Sequence, residues 1–197
     1  AESDLENLNI AGQGTDAEAF AGTENNITAT VENVGGVEGE FEVELDVGEG
    51  EVTNSTTLTL PEGETETLDF GGDIIPTTAD DYNVTLSTAD DEETGDLTAY
   101  NEINTTLDNL NITDGGNDTS ITPGTDGDVT VDVANDDTDD GATNATLTIG
   151  GDTVETQSFI EIAGSDTETV TFANVTGDLG PDDYDVNVST APDTTIS

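Results

Sequence analysis

Apolar residues recur at every second position in short runs, as expected of β-strands with one buried face. The clearest runs are Phe41, Val43, Leu45 and, further along, Tyr82 and Val84. Each run is bounded by Gly, Asp, Asn or Pro, which favour turns. No stretch shows the 3.6-residue period of an amphipathic helix. The pattern predicts an all-β chain with about seven short strands per 100 residues, which is typical of an immunoglobulin-like sandwich.

The pattern occurs twice along the chain, at an offset of 102 residues. Residues 5–10 align with residues 107–112, and residues 80–84 align with residues 182–186, without a gap. A disordered acidic chain has no reason to keep such spacing. The repeat therefore predicts two tandem immunoglobulin-like (Greek-key) β-sandwich domains, at residues 1–103 and 104–197.

Each copy has one tyrosine at the start of an Asp-Tyr-x-Val run. Tyr82 and Tyr184 occupy equivalent positions, before the strand that comes next to last in each copy. A tyrosine at this place in a Greek-key sandwich often forms a tyrosine corner, in which its hydroxyl bonds back to the preceding loop. The alternative is a plain core aromatic, and both interpretations give these tyrosines a structural role.

Three segments of the first copy carry a resemblance to a known family. Residues 31–35, 61–70 and 81–88 are similar to the CARDB-type immunoglobulin-like domains of secreted archaeal and bacterial proteins. The domains of this chain are acidic and contain no Lys or Arg, and in this they resemble the domains of haloarchaeal cell-surface proteins. The resemblance implies an extracellular location and no catalytic residues, because the family is mainly adhesive and structural. The second copy departs from the pattern, since acidic residues follow Asn135.

The charge balance excludes many functions. The chain has 47 Asp and Glu residues, no Lys, Arg, His or Cys, and a formal net charge of −47. Without Lys or Arg it has no footprint for nucleic acid or anionic membranes. Without His or Cys there is no zinc site, catalytic triad or disulfide. We interpret the charge as adaptation to brine, where repulsion is screened over about 3 Å at 1 M salt.

Catalysis and cation binding have little support in the sequence. Residues 135–141 resemble half of a calcium loop, but Gly141 falls one place late and no bidentate Glu follows. The equivalent loop of the first copy has a single acidic residue. Because 47 acids make any carboxylate pair uninformative, we expect no enzymatic function, no cofactor and no specific metal site.

Sequons for N-glycosylation are frequent. Strand alternation places most of those that fall on strands on outward faces, where a glycan can be attached. Glycosylation would imply export, and Ala1 then resembles the start of a processed chain; the alternative is that a Thr-rich sequence creates sequons by chance. The candidates are Asn26, Asn54, Asn83, Asn104, Asn111, Asn117, Asn144, Asn174 and Asn187.

The last strand differs between the copies. Residues 96–102 supply a final strand to the first copy, which we expect to lie against residues 82–88. Under the same offset, the second copy lacks its last strand unless residues 193–197 fold back to serve. A sandwich without an edge strand exposes an apolar groove and unpaired backbone groups. Such a groove is commonly filled by a strand from another chain, and head-to-tail repetition gives an open filament.

These features favour a structural subunit of an extracellular filament, pilus-like or thread-like, or of a surface layer, that polymerises with copies of itself. The candidate donor is the N-terminal segment with Leu5, Leu8 and Ile10, although these residues also match the first strand of their own domain. The alternative is a cell-surface adhesion or binding module within a longer tandem array, with other surface proteins or glycans as partners. A carbohydrate-binding accessory domain is a third class, which the absence of Trp disfavours.

Overall fold

The structure is a computed structural model, and it describes residues 1–72, 74–113, 126–177, 184–191 and 194–196. The elements found in these residues are all β-strands, which confirms the all-β prediction. Nowhere in this described part does a helix reach the length and apolar character needed to cross a lipid bilayer. The chain divides into two compact units, Ala1–Asn101 (unit 1) and Glu102–Ser197 (unit 2).

Unit 2 begins two residues before the predicted boundary at residue 104. Ile103 is buried in the core of unit 2, and its backbone N–H donates to Ala142 O at 3.2 Å. Glu102 forms a parallel bridge with the same alanine. These two residues therefore belong to unit 2 because of their packing and pairing, which a repeat offset does not reveal.

Unit 1 has eight strands in two sheets. They are β1 (Ser3–Ile10), β2 (Asp16–Phe20), β3 (Asn25–Asn33), β4 (Gly39–Val47), β5 (Val52–Leu60), β6 (Thr65–Gly72), β7 (Asp80–Ser87) and β8 (Glu92–Tyr100). One sheet has the order β1-β3-β6 and the other β2-β8-β7-β4-β5. Neighbouring strands are antiparallel, except that β2 and β8 run parallel. Sequence alternation thus becomes a sandwich with a single buried core.

Unit 2 repeats this arrangement with fewer described strands. They are β9 (Thr105–Thr113), β10 (Asp128–Asn135), β11 (Gly141–Ile149), β12 (Asp152–Ile162), β13 (Thr167–Phe172), β14 (Val186–Thr190) and β15 (Thr194–Ile196). The sheets are β13-β10-β9 and β12-β11-β14-β15. Their order matches that of the equivalent strands in unit 1. Both units are immunoglobulin-like β-sandwiches, as the sequence predicts.

Strand β4 shows how the acidic sequence forms a core. Phe41, Val43 and Leu45 are buried, whereas Glu42 and Glu44 between them are exposed. Burying a side chain of this size contributes roughly 1.5–3 kcal/mol. The carboxylates meanwhile stay in water, where they cost no desolvation. The acids therefore coat the surface of the sandwich without entering its core.

A buried asparagine ties the same two loops together in each unit. Asn33 Nδ2 donates to Val37 O and to Leu60 O, both at 2.8 Å. Asn135 is the equivalent residue, and its Nδ2 donates to Asp139 O at 3.0 Å. Both asparagines are almost fully buried. Because a buried amide must be hydrogen-bonded, these residues fix the loop that joins the two sheets.

Candidate strand-accepting groove

Strand β8 completes the larger sheet of unit 1, where the sequence places it. It runs antiparallel to β7, with Leu97 opposite Tyr82 and Gly95 opposite Val84. Leu97 is fully buried, and Ala99 is nearly so. The strand thus covers one flank of the core with alternating small and large side chains.

Tyr82 has the geometry of a tyrosine corner. Its hydroxyl donates to Thr78 O at 2.8 Å, four residues upstream. Its ring lies against Gly48, where a Cβ would come within 2.5 Å of Cδ1. Burial, with the nearby carboxylates of Glu51 and Asp80, raises the pKa of the hydroxyl above 10.0, so it remains a donor at neutral pH. This contact joins the loop before β7 to the sheet.

Strand β15 occupies the place beside β14 that β8 occupies beside β7. Of the segment that the sequence analysis allowed to fold back, the structure describes residues 194–196 as a strand, which spans three residues where β8 spans nine. Its register also differs. Val188 lies opposite Ile196, whereas the equivalent Leu86 lies opposite Glu93, one position earlier in the repeat. Of the two alternatives that the sequence leaves open for the second copy, the described residues show the fold-back, as a short strand in a shifted register.

An open groove lies beside the start of β14. Among the residues that the structure describes in unit 2, no strand pairs with Val186 on the side that β8 covers in unit 1. The groove has a volume of about 510 Å³. It is lined by Leu110, Ile112, Tyr184, Asp185, Val186 and Asn187.

The apolar residues of this groove are more exposed than their equivalents in unit 1. Tyr184 is 38% exposed and Tyr82 is 9% exposed. The ring of Tyr184 rests on Gly150 as that of Tyr82 rests on Gly48. The carbonyl that would accept its hydroxyl lies outside the described residues. Two residues of β9 change from fully to partly buried in the same way: Leu110 compared with Leu8, and Ile112 compared with Ile10.

The N-terminal donor candidates are placed inside their own unit. Leu5, Leu8 and Ile10 are at most 4% exposed, on β1, which pairs with β3. A bulge at Asn7, whose φ is 59°, brings Leu5 and Leu8 to the same face despite their three-residue spacing. The structure thus favours the second of the two interpretations, a first strand of the same domain, because this segment already fills its own core.

The sequons lie on surfaces of both units, and none of those described is buried. Asn117 lies outside the described residues. Three are partly buried: Asn26, Asn144 and Asn187. Five are exposed: Asn54, Asn83, Asn104, Asn111 and Asn174.

Hydrogen bonds distinguish some of these asparagines. Asn144 Oδ1 accepts the backbone N–H of Phe159 at 2.9 Å and so supports an irregularity between β11 and β12. Asn83 is exposed on β7, and its Oδ1 accepts the hydroxyl of Thr85, the third residue of the same sequon, at 2.8 Å. The side chain of Asn83 is therefore held by a residue of its own sequon. The side chain of Asn144 instead supports the pairing of β11 with β12.

The half calcium loop uses its acidic groups as hydrogen-bond acceptors. The Asp137 carboxylate accepts the backbone N–H of Asn104 at 2.8 Å, which lowers the pKa of this carboxyl below 3.8. Asp140 Oδ1 accepts the backbone N–H of Gly164 at 2.9 Å. The described residues contain no group of three or more acidic side chains placed to hold a metal ion.

Sequence reasoning treated Asn33 and Asn135 only as parts of a motif, although they are the most buried polar residues shared by both units. The sequence did contain a signal for their burial. Each asparagine ends an alternating apolar run, in phase with the apolar residues, so its side chain points inward as theirs do. Their role is to fix the loops, and they take no part in the groove.

Comparison with known proteins finds weak structural similarities alone. No family model matches the chain, and no curated protein matches it. Among solved structures, red sea bream transglutaminase is 10% identical with a TM-score of 0.36, over 99% of this chain; the chain spans 30% of that protein. A chaperone–tip adhesin complex of CFA/I fimbriae biogenesis is 9% identical with a TM-score of 0.31, over 98% and 93%.

A third similar structure is the CsuC–CsuE chaperone–tip adhesion subunit complex of the archaic chaperone-usher Csu pili of Acinetobacter baumannii. It is 10% identical with a TM-score of 0.29, over 97% of this chain and 94% of that chain. At these scores the similarity carries no argument about fold or function.

Proposed function

We propose that the chain is a non-enzymatic structural subunit of an extracellular filament or surface layer, and that unit 2 accepts a β-strand from a neighbouring copy. The observation that carries the proposal is the groove beside β14, at the place where β8 completes unit 1. Edge backbone groups and half-exposed apolar side chains of this kind favour strand addition.

The charge distribution supports this mode of contact. Neighbouring copies cannot be joined by Lys–Asp or Arg–Glu pairs, because the chain has neither Lys nor Arg. Backbone pairing and apolar burial remain as the sources of attraction, with repulsion between the acidic surfaces screened by salt. This fits a haloarchaeal cell-surface origin and the CARDB resemblance, which we retain as part of the proposal.

Electron microscopy of the chain in about 3 M KCl tests the proposal, at a salt concentration where repulsion is screened within a few ångströms. We expect uniform fibres with a repeat of two domains. The matched control is a variant in which residues 95–102 are repeated after Ser197, so that the groove is filled within the same chain. This variant should remain monomeric. Monomers of the unaltered chain at every concentration, or unchanged fibres of the control variant, would refute strand donation.

The second candidate is a cell-surface adhesion module within a longer tandem array, bound to other surface proteins or glycans. The same groove favours it, because a strand that followed Ser197 in the native protein would fill the groove in cis. Intact mass and C-terminal sequencing of native material decide between the two, since a longer product would support the array.

We also propose N-glycosylation at exposed sequons, foremost Asn83. Mass spectrometry of native glycopeptides tests this. Modified Asn83 with unmodified Asn144 is the expected result, because the side-chain oxygen of Asn144 already binds the backbone of Phe159. An unmodified Asn83 in secreted material would contradict it.

A further inference from the structure

We infer that the free edge of β5 pairs in antiparallel fashion with β5 of a second copy of the chain. β5 is the last strand of the larger sheet of unit 1, and among the described residues no strand pairs with its other side. A long, flat and uncharged edge strand is a template for strand addition. The contact does not involve the groove of unit 2, so the inference goes beyond the proposed function.

β5 is the exception among the edge strands of this acidic chain. Its nine residues contain no acid and no proline, and they pair with β4 at nine consecutive positions without a bulge. Each of the other edge strands that the structure describes carries at least one acid, apart from the three-residue β15. Acids, prolines and bulges are the features that keep sheet edges from pairing. β5 has none of the three.

Four residues of β5 present their backbone groups to the free edge. Gly48, which follows β4, donates its backbone N–H to Asn83 O of β7 at 2.9 Å. Alternation then turns the odd-numbered residues of β4 toward β5, where they pair with the even-numbered residues. The odd-numbered residues of β5 therefore point their N–H and C=O groups away from β4. They are Thr53, Ser55, Thr57 and Thr59.

The side chain of Asn54 takes the place of a partner carbonyl at this edge. Its Oδ1 accepts the outward N–H of Ser55 at 2.8 Å. A carbonyl of a paired strand would take over this bond and release the side chain, so the N–H stays satisfied in both states. Asn54 is also a sequon asparagine, and a glycan on its Nδ2 would lie beside the same edge. The experiment therefore uses chain produced without glycosylation.

The sequence of β5 is complementary to itself in one antiparallel register. This register places Thr56 of the two copies opposite each other on a twofold axis. All four outward residues then exchange backbone hydrogen bonds across the seam, in the pairs Ser55 with Thr57 and Thr53 with Thr59. Cross-strand pairs of Thr with Thr or Ser are favourable. A twofold contact requires a patch that is complementary to itself, which makes a second copy the partner that this edge fits.

The acids of β4 restrict this pairing to high salt. The outward side chains of β4 are Glu40, Glu42, Glu44 and Asp46. Their rows in the two copies would be separated by three strand spacings, about 14 Å. At 1 M salt the screening length is about 3 Å, so repulsion over that distance is small. Because the seam brings together small polar side chains, a single pairing is weak, and covalent trapping is the suitable way to detect it.

Single cysteines test the inference, since the chain has no cysteine of its own. Thr56→Cys should form disulfide dimers with a mild oxidant in about 3 M KCl, where repulsion is screened. Residues opposite each other at such a position have Cα atoms about 4.5 Å apart, which suits a disulfide. The matched control is Thr67→Cys on the edge strand β6, which carries Glu66 and Asp69. We expect at least about tenfold more dimer from Thr56→Cys, although Thr67 is the more exposed residue.

Two variants in the Thr56→Cys background distinguish backbone pairing from mere proximity. Thr57→Pro removes one outward N–H and should reduce the dimer to the level of the Thr67→Cys control. Far-UV dichroism should stay unchanged, because proline is tolerated where the N–H of an edge strand faces solvent. Thr57→Val keeps the N–H and should keep the dimer. Equal dimer yields from Thr56→Cys and Thr67→Cys, or a dimer that survives Thr57→Pro, would overturn the inference.

This experiment and the test of the filament fail independently. Thr56→Cys dimers without fibres would leave the β5 contact standing and remove strand donation to unit 2. Fibres without Thr56→Cys dimers would leave strand donation standing and remove the β5 contact.

Discussion

Unit 1 and unit 2 have the same sheet order and the same tyrosine resting on the same glycine, yet one tyrosine is buried and the other is 38% exposed. Equivalent positions of the first strands carry the same residue types: Leu8 and Ile10 in unit 1, Leu110 and Ile112 in unit 2. What differs is the neighbouring strand, with nine residues in β8 and three in β15.

The comparison shows that the burial of an apolar side chain depends on the neighbouring strand as well as on its place in the alternating pattern. The equivalents of side chains that lie beside β8 in unit 1 line a groove in unit 2, where β15 spans three residues. An uncovered edge retains its backbone donors and acceptors, so it favours pairing with another strand. Unit 1 therefore serves as the reference for unit 2, because it shows how the same apolar positions are buried beside a nine-residue strand.

Dilution of salt gives the largest expected effect on this comparison. Unit 1 contains 26 of the 47 acids and unit 2 the remaining 21. Below about 0.2 M salt the screening length grows to about 7 Å or more, and repulsion then acts across each unit. We expect unit 2 to unfold first despite its lower charge, because β15 is shorter than β8 and Tyr184 is more exposed than Tyr82. Amide hydrogen exchange of both units across a salt series measures this; earlier opening of unit 1 would contradict it.

Leu97→Ala tests whether β8 is the source of the difference. Removal of this fully buried side chain should destabilise unit 1 by about 2–5 kcal/mol, through lost burial and a residual cavity. The backbone amide of Tyr82 should then exchange with solvent as fast as that of Tyr184, and its ring should become as accessible to chemical modification. Denaturant unfolding in high salt, followed by hydrogen exchange in each unit, provides the measurement.

Thr94→Ala is the matched control for that variant, because Thr94 lies on the same strand and is exposed. It should change the free energy of unfolding by less than about 0.5 kcal/mol. A loss in unit 2 equal to that in unit 1 would show that Leu97 does not act through β8.

The buried asparagines should behave alike in both units. Asn33→Ala and Asn135→Ala each remove the side-chain amide that donates to buried carbonyl groups, among them Leu60 O in unit 1. The expected cost is about 1–3 kcal/mol in the affected unit. Thermal unfolding measures it, with the exposed Asn54→Ala as control. A large effect in only one unit would break the equivalence of the two loops.

The sequence predicted the parts of the fold that depend on alternation and repetition. The strands around Phe41 and Tyr82, the sandwich class and the place of β8 follow from side chains that must alternate between core and water. The groove was anticipated for the same reason, since a repeat shows which segment lacks its counterpart. These features are local or are copied from one half of the chain to the other.

Other features depend on long-range contacts and could not be predicted. The side-chain amide of Asn33 donates a hydrogen bond to the backbone carbonyl of Leu60, 27 residues further along the chain. The register of β15 is shifted by one position relative to β8, and only backbone pairing specifies it. The N-terminal strand was open to two interpretations, because an apolar strand suits its own core or another chain equally well until the bulge at Asn7 is known.

The smallest expected effect concerns the carboxylates that hold the first strand of each unit. In unit 1, the Asp91 carboxylate accepts the backbone N–H of Leu5 at 2.7 Å; in unit 2, Asp137 accepts that of Asn104 at 2.8 Å. These bonds favour the ionised form and lower the pKa of both carboxyls below the ordinary 3.8. The stability they contribute is present above the unfolded pKa and is lost as pH falls through the lower folded pKa.

Titration followed by NMR in high salt should give midpoints below 3.8 for both carboxyls. Asp91→Asn should weaken the acid dependence of unit 1 alone, and Asp137→Asn that of unit 2 alone, so each variant is the control for the other. The two acids are not equivalent in the repeat: Gly35 stands at the position of Asp137, and a Cβ there would come within 2.6 Å of Glu2 N. If both variants altered the same unit, the two copies would not be anchoring their first strands independently.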